Sequence, residues 1–250
     1  MSNYDTYANT NIGKVRIANE DQAMVVRNEN NGHYLAVVCD GMGGQNRGDY
    51  ASKLATDMIC DRFMKNSLIY KFSKSIWIKQ TIRTINNTVF DFGDLDEEYA
   101  KMGTTLVSAL LTNDKLCIAN VGDSRAYSST SSGIRQLTTD QTYVEFLYKT
   151  GQISKNEMES HPKRHILMNA IGSFPTVNID VTIHGYLGET ILLCSDGLYN
   201  SVSEREIWSI LQSDETAKTK GELLIRMANS NGGPDNIAIA IIQKGESDDD

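Results

Sequence analysis

The chain has 250 residues, 40% hydrophobic and 22% charged, with a formal net charge of −8. That length buries a large core and favours one compact domain, and a composition with three prolines shows no sign of disorder or of a stiff linker. The acidic balance speaks against a nucleic-acid binder, whose phosphate contacts need clustered Lys and Arg, so any handling of phosphate by this chain calls for a metal.

No charged-then-apolar signal segment opens the chain. The longest apolar runs, such as Ile237 to Ile242, are too short to cross a bilayer, which predicts a cytoplasmic protein without membrane insertion. Strands are predicted at Gln22 to Arg27, His33 to Cys39, Thr104 to Leu111, Lys115 to Val121, Arg125 to Ser128, Val177 to Ile183, Thr190 to Cys194 and Ile237 to Gln243. Only Thr112-Asn113-Asp114 separates the third from the fourth, a hairpin connection that favours antiparallel sheet. Ala51, Leu54, Ala55, Met58, Ile59 and Phe63 follow helical spacing, and a second helix is expected from about Lys74 to Asp91. Shorter helices are expected near Glu204 to Leu211, capped by Ser203 with Glu206 at the capping-box position, and near Gly221 to Asn229. This order fits α+β layers better than a regular βαβ alternation. The polar stretch from Thr142 to His165 reads as an excursion over the surface, and Glu246 to Asp250 as a solvated, frayed acidic tail. The four cysteines show no C-x-x-C spacing and three lie in apolar strand-like runs, so they read as buried free thiols.

The acids carry the chemistry. Cys39-Asp40-Gly41, Val121-Gly122-Asp123 and Ser195-Asp196-Gly197 follow apolar strands, and Gly233-Pro234-Asp235-Asn236 precedes one. A single Asp-Gly is usually only a turn. Repeated at strand ends, with Asn19-Glu20-Asp21 ahead of the first strand, such acids project from a rigid frame and suit hard cations such as magnesium or manganese. There is no His or Cys cluster for zinc, and no glycine-loop signature for a nucleotide at Gly43-Gly44.

These residues also carry a family resemblance. Gly13 to Asp21, Val37 to Gly44, Met102 to Thr105, Ala119 to Arg125, Leu137 to Asp140, Asn169 to Gly172, Leu193 to Leu198 and Gly233 to Asn236 resemble, in order, the motifs of the bacterial type 2C (PPM) metal-dependent serine/threonine protein phosphatases. The resemblance covers nearly the whole chain. It implies a four-layer α-β-β-α sandwich of two mainly antiparallel sheets flanked by helices, forming one catalytic domain over 1–245 with a flap at about 142–165.

It also implies roles. Asp40 would bridge two Mn2+ or Mg2+ ions with the Gly41 carbonyl nearby, Asp196 and Asp235 would hold the second ion, and Asp123 with Asp196 would take a third, weaker one. Glu20 and Asp21 would orient metal-bound water, and Arg16 would clamp the phosphoryl group with its planar fork. Two cations about 3.5–4 Å apart can share one hydroxide and aim it in line at phosphorus, with no covalent intermediate. The implied partners are phosphorylated proteins, in particular a Ser/Thr kinase and its substrates, acted on by a monomer. The competing reading is a catalytically silent phosphoprotein-binding module of the same fold, against which the joint presence of Asp40, Asp196 and Asp235 speaks. Two positions depart from the wider family: Met42 stands where many eukaryotic members have a proton-donating histidine, and Gln141 stands where a histidine commonly follows the aspartate. Met42 cannot donate a proton, so a metal-bound water is expected to protonate the leaving group. His161, His165 and His184 are given no role.

Overall fold

The computed structural model describes residues 4–43, 47–65, 73–95, 99 and 101–245. The acidic tail and Gly44 of the motif after Asp40 lie outside the described residues.

Two sheets form the middle of the molecule. One runs β2 (Asp21–Asn28), β3 (His33–Met42), β5 (Leu106–Leu111), β6 (Lys115–Val121) and β9 (Asp180–Gly185), with the two-residue β4 (Gly103–Thr104) on the end of β3. The other runs β1 (Tyr4–Asn11), β11 (Ile237–Lys244), β10 (Thr190–Cys194), β7 (Arg125–Thr130) and β8 (Gly133–Gln136). The pairings within both are antiparallel. Helices α1 (Gly48–Lys65) and α2 (Lys74–Leu95) cover the first sheet; α5 (Asp196–Tyr199), α6 (Glu204–Leu211) and α7 (Ala217–Ser230) cover the second. The two remaining helices, α3 (Tyr143–Lys149) and α4 (Lys155–Ser160), lie in the surface excursion.

Strand alternation creates the layers, because successive side chains point to opposite faces. Leu35, Val37 and Cys39 of β3 face α1 and α2, while Tyr34, Ala36 and Val38 face the other sheet. In β11, Ala238, Ala240 and Ile242 face the first sheet, and Ile237, Ile239 and Ile241 pack under α6 and α7. Both strands are therefore apolar on each side, which is why they read as unbroken hydrophobic runs. Each such isoleucine or leucine removed from water contributes roughly 1.5–3 kcal/mol. All four cysteines are free and buried, as expected.

Several boundaries differ from the sequence reading. The run from Thr104 to Leu111 is divided at Thr105, whose backbone N–H donates to the carbonyl of Asp40 at 2.9 Å, so β4 and β5 pair β3 as separate pieces. The strand predicted from Val177 begins at Asp180, and the helix predicted from Gly221 begins at Ala217, where Thr216 accepts a hydrogen bond from the Thr219 N–H at 3.2 Å. Ser203 and Glu206 form the expected capping box. Strands β1 and β8 and helices α3, α4 and α5 have no counterpart among the predicted elements.

Candidate active site

The acids gather at one end of the sandwich, where β3, β6 and β10 finish and β2 and β11 begin. In the β2–β3 register Asp21 lies opposite Asp40. A cavity of about 630 Å³ opens there, lined by Arg16, Glu20, Asp40, Gly41, Asp123, Asp196 and Asp235. Residues up to 219 positions apart thus share one wall. Asp21 does not line the cavity; it is 1% exposed and sits behind Asp40.

Each acid is fixed through its backbone or its neighbours. Asp40 donates its N–H to Thr105 Oγ1 at 2.9 Å, its carbonyl accepts from Thr104 Oγ1 at 3.0 Å, and Thr105 Oγ1 lies 2.7 Å from Ser124 Oγ. Asp21 Oδ2 accepts from Ser195 Oγ at 2.6 Å, and Ser195 Oγ accepts from the Ala238 N–H at 2.8 Å. Asn236 is a hub: its Oδ1 accepts from the Glu20 N–H at 2.9 Å, and its Nδ2 donates to the carbonyls of Ile12 and Ala18, each at 2.9 Å. Gly197 is obligatory by contact, since a Cβ there would collide with the carbonyl of Asn236. Arg16 Nη2 donates to Asp235 Oδ2 at 2.8 Å. Further round, Arg125 forks onto Asp140 with its guanidinium stacked 3.6 Å from the Tyr199 ring centroid, and Tyr199 donates to the carbonyl of Asp123 at 3.2 Å. Gln141, the departure from the histidine pattern, accepts the Gly122 N–H at 2.8 Å and donates to Asp180 at 2.8 Å, so it braces the turn before Asp123.

The electrostatics are those of crowded, desolvated carboxylates. Burial, with repulsion from Asp196 and Asp235, pushes Asp21 up to about 8 even though Ser195 donates to it. Burial raises Asp40 well above the usual carboxylate range, helped by Asp21 and Asp196. Asp123 is pushed up to about 8 by burial and by Asp196, and Asp196 to about 6 by burial and by Asp235. Like charges in low dielectric disfavour ionisation.

Thr105 and Asn236 are not among the site residues predicted from sequence, and neither is His165, which lines the cavity beside Ile166 and Leu167. These last three follow α3 and α4. The excursion closes on itself through the Tyr143 N–H to Ile166 carbonyl bond at 2.8 Å and a bridge between Thr142 and Leu167, which delivers them to the cavity.

Residues 14–229 match the family described as Protein phosphatase 2C. The chain is 37% identical over 237 residues to a protein named Serine/threonine phosphatase stp from Listeria monocytogenes, covering 94% of each. The chain belongs to the protein phosphatase 2C family. With membership comes the enzyme class, a protein serine/threonine phosphatase. Among solved structures, this 2C-family chain is similar to Serine/threonine phosphatase Stp1 from Staphylococcus aureus, with a TM-score of 0.90, 34% identity, and coverage of 98% of this chain and 96% of that one. It is also similar to the catalytic domain of the phosphatase PstP in complex with two manganese ions, with a TM-score of 0.82, 29% identity, and coverage of 97% and 99%. The fold expected from the resemblance, two antiparallel sheets flanked by helices, is the fold observed.

The donor set of this 2C phosphatase fits hard divalent cations. It consists of carboxylates and a glycine carbonyl, and the burial and mutual repulsion that raise Asp40, Asp123 and Asp196 are what a bound cation would offset. No three His, Cys, Asp or Glu side chains among the described residues are grouped tightly enough to enclose an ion alone. Magnesium-like ions keep several waters and take only one or two carboxylates each.

Proposed function

We propose that this chain hydrolyses phosphoserine and phosphothreonine in proteins at divalent cations held by Asp40, Gly41, Asp196 and Asp235, with Asp123 and Asp196 taking a third ion. Manganese or magnesium would serve. The observation that carries the reading is that these acids, far apart in sequence, share one cavity wall with Arg16. Bound there, the ions supply Lewis acidity and a water acidic enough to attack phosphorus near neutral pH.

The chain's own residues do the rest. Arg16, with its side chain 50% exposed, is free to swing its fork from Asp235 to the oxygens of an entering phosphoryl group. Glu20, on the cavity wall, accepts hydrogen bonds from waters beside the ions, and Asp21, buried behind Asp40, acts on them through Asp40. Met42 lines the cavity but has no proton to give, so the leaving oxygen takes its proton from water. No cysteine competes as a nucleophile. None of the four lines the cavity, and burial pushes the Cys39 and Cys60 thiols up to about 12 and Cys117 up to about 11. Residues 1–245 act as one catalytic domain in which 142–165 forms a flap toward the substrate. The expected partners are a Ser/Thr kinase and its phosphorylated targets, met in the cytoplasm by a monomer. No helix among the described residues is long and apolar enough to cross a membrane.

The test is phosphate release from a phosphothreonine peptide with manganese, magnesium or chelator, in the wild type and in Asp196→Asn. Release in metal alone, lost in the variant, is expected. Release that persists in chelator overturns the mechanism, and peptide binding without turnover would make the chain a silent phosphoprotein-binding module.

A further inference from the structure

The backbone around Arg16 is unusually well fixed for a segment that offers its side chains to water. Asn236 Nδ2 ties both ends of the turn by donating to the Ile12 and Ala18 carbonyls, and the Lys14 N–H donates to the Gly233 carbonyl at 2.8 Å. On that fixed frame Val15 is 67% exposed and Ile17 is 99% exposed, one on each side of Arg16 in the chain. Neither belongs to any of the three apolar cores. The cavity that Arg16 lines is also lined by Ile166, just after the 142–165 segment; Ile166 is 47% exposed and its carbonyl is pinned by the Tyr143 N–H at 2.8 Å.

Single exposed apolar residues are ordinary on a protein surface. Two that bracket the phosphate clamp in the chain, with a third lining the cavity that the clamp also lines, put exposed apolar side chains on fixed backbone next to the site before any ligand arrives. Preorganised apolar side chains lose little freedom when a partner covers them. The electrostatics narrow the choice of partner. The net charge of −8 disfavours acidic flanking residues.

We infer that Val15, Ile17 and Ile166 form a docking surface that selects substrate segments carrying bulky apolar side chains next to the phosphorylated residue. The inference rests on the phosphatase reading above and specifies its substrate class. The occupant is an extended phosphopeptide segment: its phosphate enters the cavity toward Arg16, and its neighbouring side chains cover Val15, Ile17 and Ile166.

The experiment uses the full chain loaded with manganese and three matched phosphothreonine peptides, with leucine, serine or aspartate on both sides of the phosphorylated residue. The leucine peptide is expected to exceed the serine peptide in kcat/KM by about fivefold, mainly through KM, with the aspartate peptide lowest. The double variant Val15→Ser, Ile17→Ser is expected to erase the leucine preference while hydrolysis of p-nitrophenyl phosphate, which has no flanks, stays within about twofold of wild type. Equal kcat/KM on the leucine and serine peptides, or a leucine preference that survives in the double variant, overturns the inference. So does a manganese-loaded dimer in sedimentation that the double variant dissociates, because a second copy would then be the occupant. A wild-type chain inert on p-nitrophenyl phosphate as well would instead overturn the phosphatase reading.

Discussion

Ser195 joins the two sheets through Asp21: its Oγ donates to Asp21 Oδ2 at 2.6 Å while accepting from the Ala238 N–H at 2.8 Å. Asp21 starts a strand of one sheet, whereas Ser195 directly follows β10 and Ala238 lies in β11 of the other. Both Ser195 and Asp21 are buried. Ser195→Ala leaves a buried carboxylate and a strand N–H each short of a partner, which costs roughly 1–3 kcal/mol per unsatisfied group. The expected outcome is a urea midpoint lowered by about 2 kcal/mol of stability, together with weaker manganese binding because Asp40 lies opposite Asp21. Ser195→Thr, which keeps the hydroxyl, should recover part of both, and an unchanged midpoint in the alanine variant would remove Ser195 from the network.

Arg16 makes a separate test possible, because its present partner is a proposed metal ligand. In Arg16→Ala the phosphoryl oxygens lose a charged fork, and kcat/KM on a phosphopeptide is expected to fall by about 10²-fold. Manganese affinity should hold or tighten, since Asp235 no longer shares an oxygen with the guanidinium. Arg16→Lys should recover little of the rate, because a point charge cannot make the paired contact. Calorimetric titration of manganese beside steady-state kinetics separates the two effects; a variant that loses metal and rate together would make Arg16 a support for the metal site instead.

The frame was legible in the sequence where both faces of a strand are buried or where one helix face is apolar, as in β3, β11 and α1. It was illegible at the margins. Strand β1, Tyr4–Asn11, is polar and half-buried, and β8 is four residues long at a sheet edge, so neither shows a hydrophobic period. Helices α3 and α4 are short and bury little, yet Ser154 and Glu157 spell a capping box that was there to be read. The site divides in the same way. Acids at strand ends stand out because apolar runs precede or follow them. Thr105, Asn236 and Ser195 do not, because their roles come from hydrogen-bond partners that the fold supplies from far along the chain, as in Asn236 with Glu20. His165 lines the cavity next to the point where Thr142 and Leu167 pin the ends of the surface excursion together, which no local pattern announces.

The raised carboxylates make stability depend on pH in a direction that metal should reverse. Asp21 and Asp123 in the folded chain titrate near 8, and Asp196 near 6, against an ordinary value of 3.8. Between those limits the folded state holds protons that the unfolded state has released, so without metal stability is greatest at low pH and falls as pH rises through about 4 to 8. Bound manganese favours the ionised carboxylates and is itself favoured when they are ionised. In chelator, Tm is therefore expected to drop from about pH 5 to about pH 8, while the Tm gain on adding saturating manganese grows over the same interval. Scanning calorimetry in both conditions decides it. A metal-free Tm that is flat or rises across that interval would mean these acids ionise normally and are not crowded together.

Gly197 connects fold to metal most directly. It lies beside Asp196 at the start of α5, and its Cα faces the carbonyl of Asn236, the residue after Asp235. An added methyl must push these two segments apart, because the atom it meets is backbone and cannot rotate away. Asp196 and Asp235 sit on opposite sides of that contact, so Gly197→Ala should separate the two proposed ligands of one ion. The expected cost is about 1–3 kcal/mol of stability from overpacking. Manganese affinity should fall by more than about tenfold, the scale on which small errors in a supporting shell are felt. Leu198→Val, one position on and in the core under α6 and α7, serves as the control: it should cost about 1 kcal/mol and leave metal binding intact. If Gly197→Ala is destabilised yet binds manganese as the wild type does, then Asp196 and Asp235 do not hold a common ion.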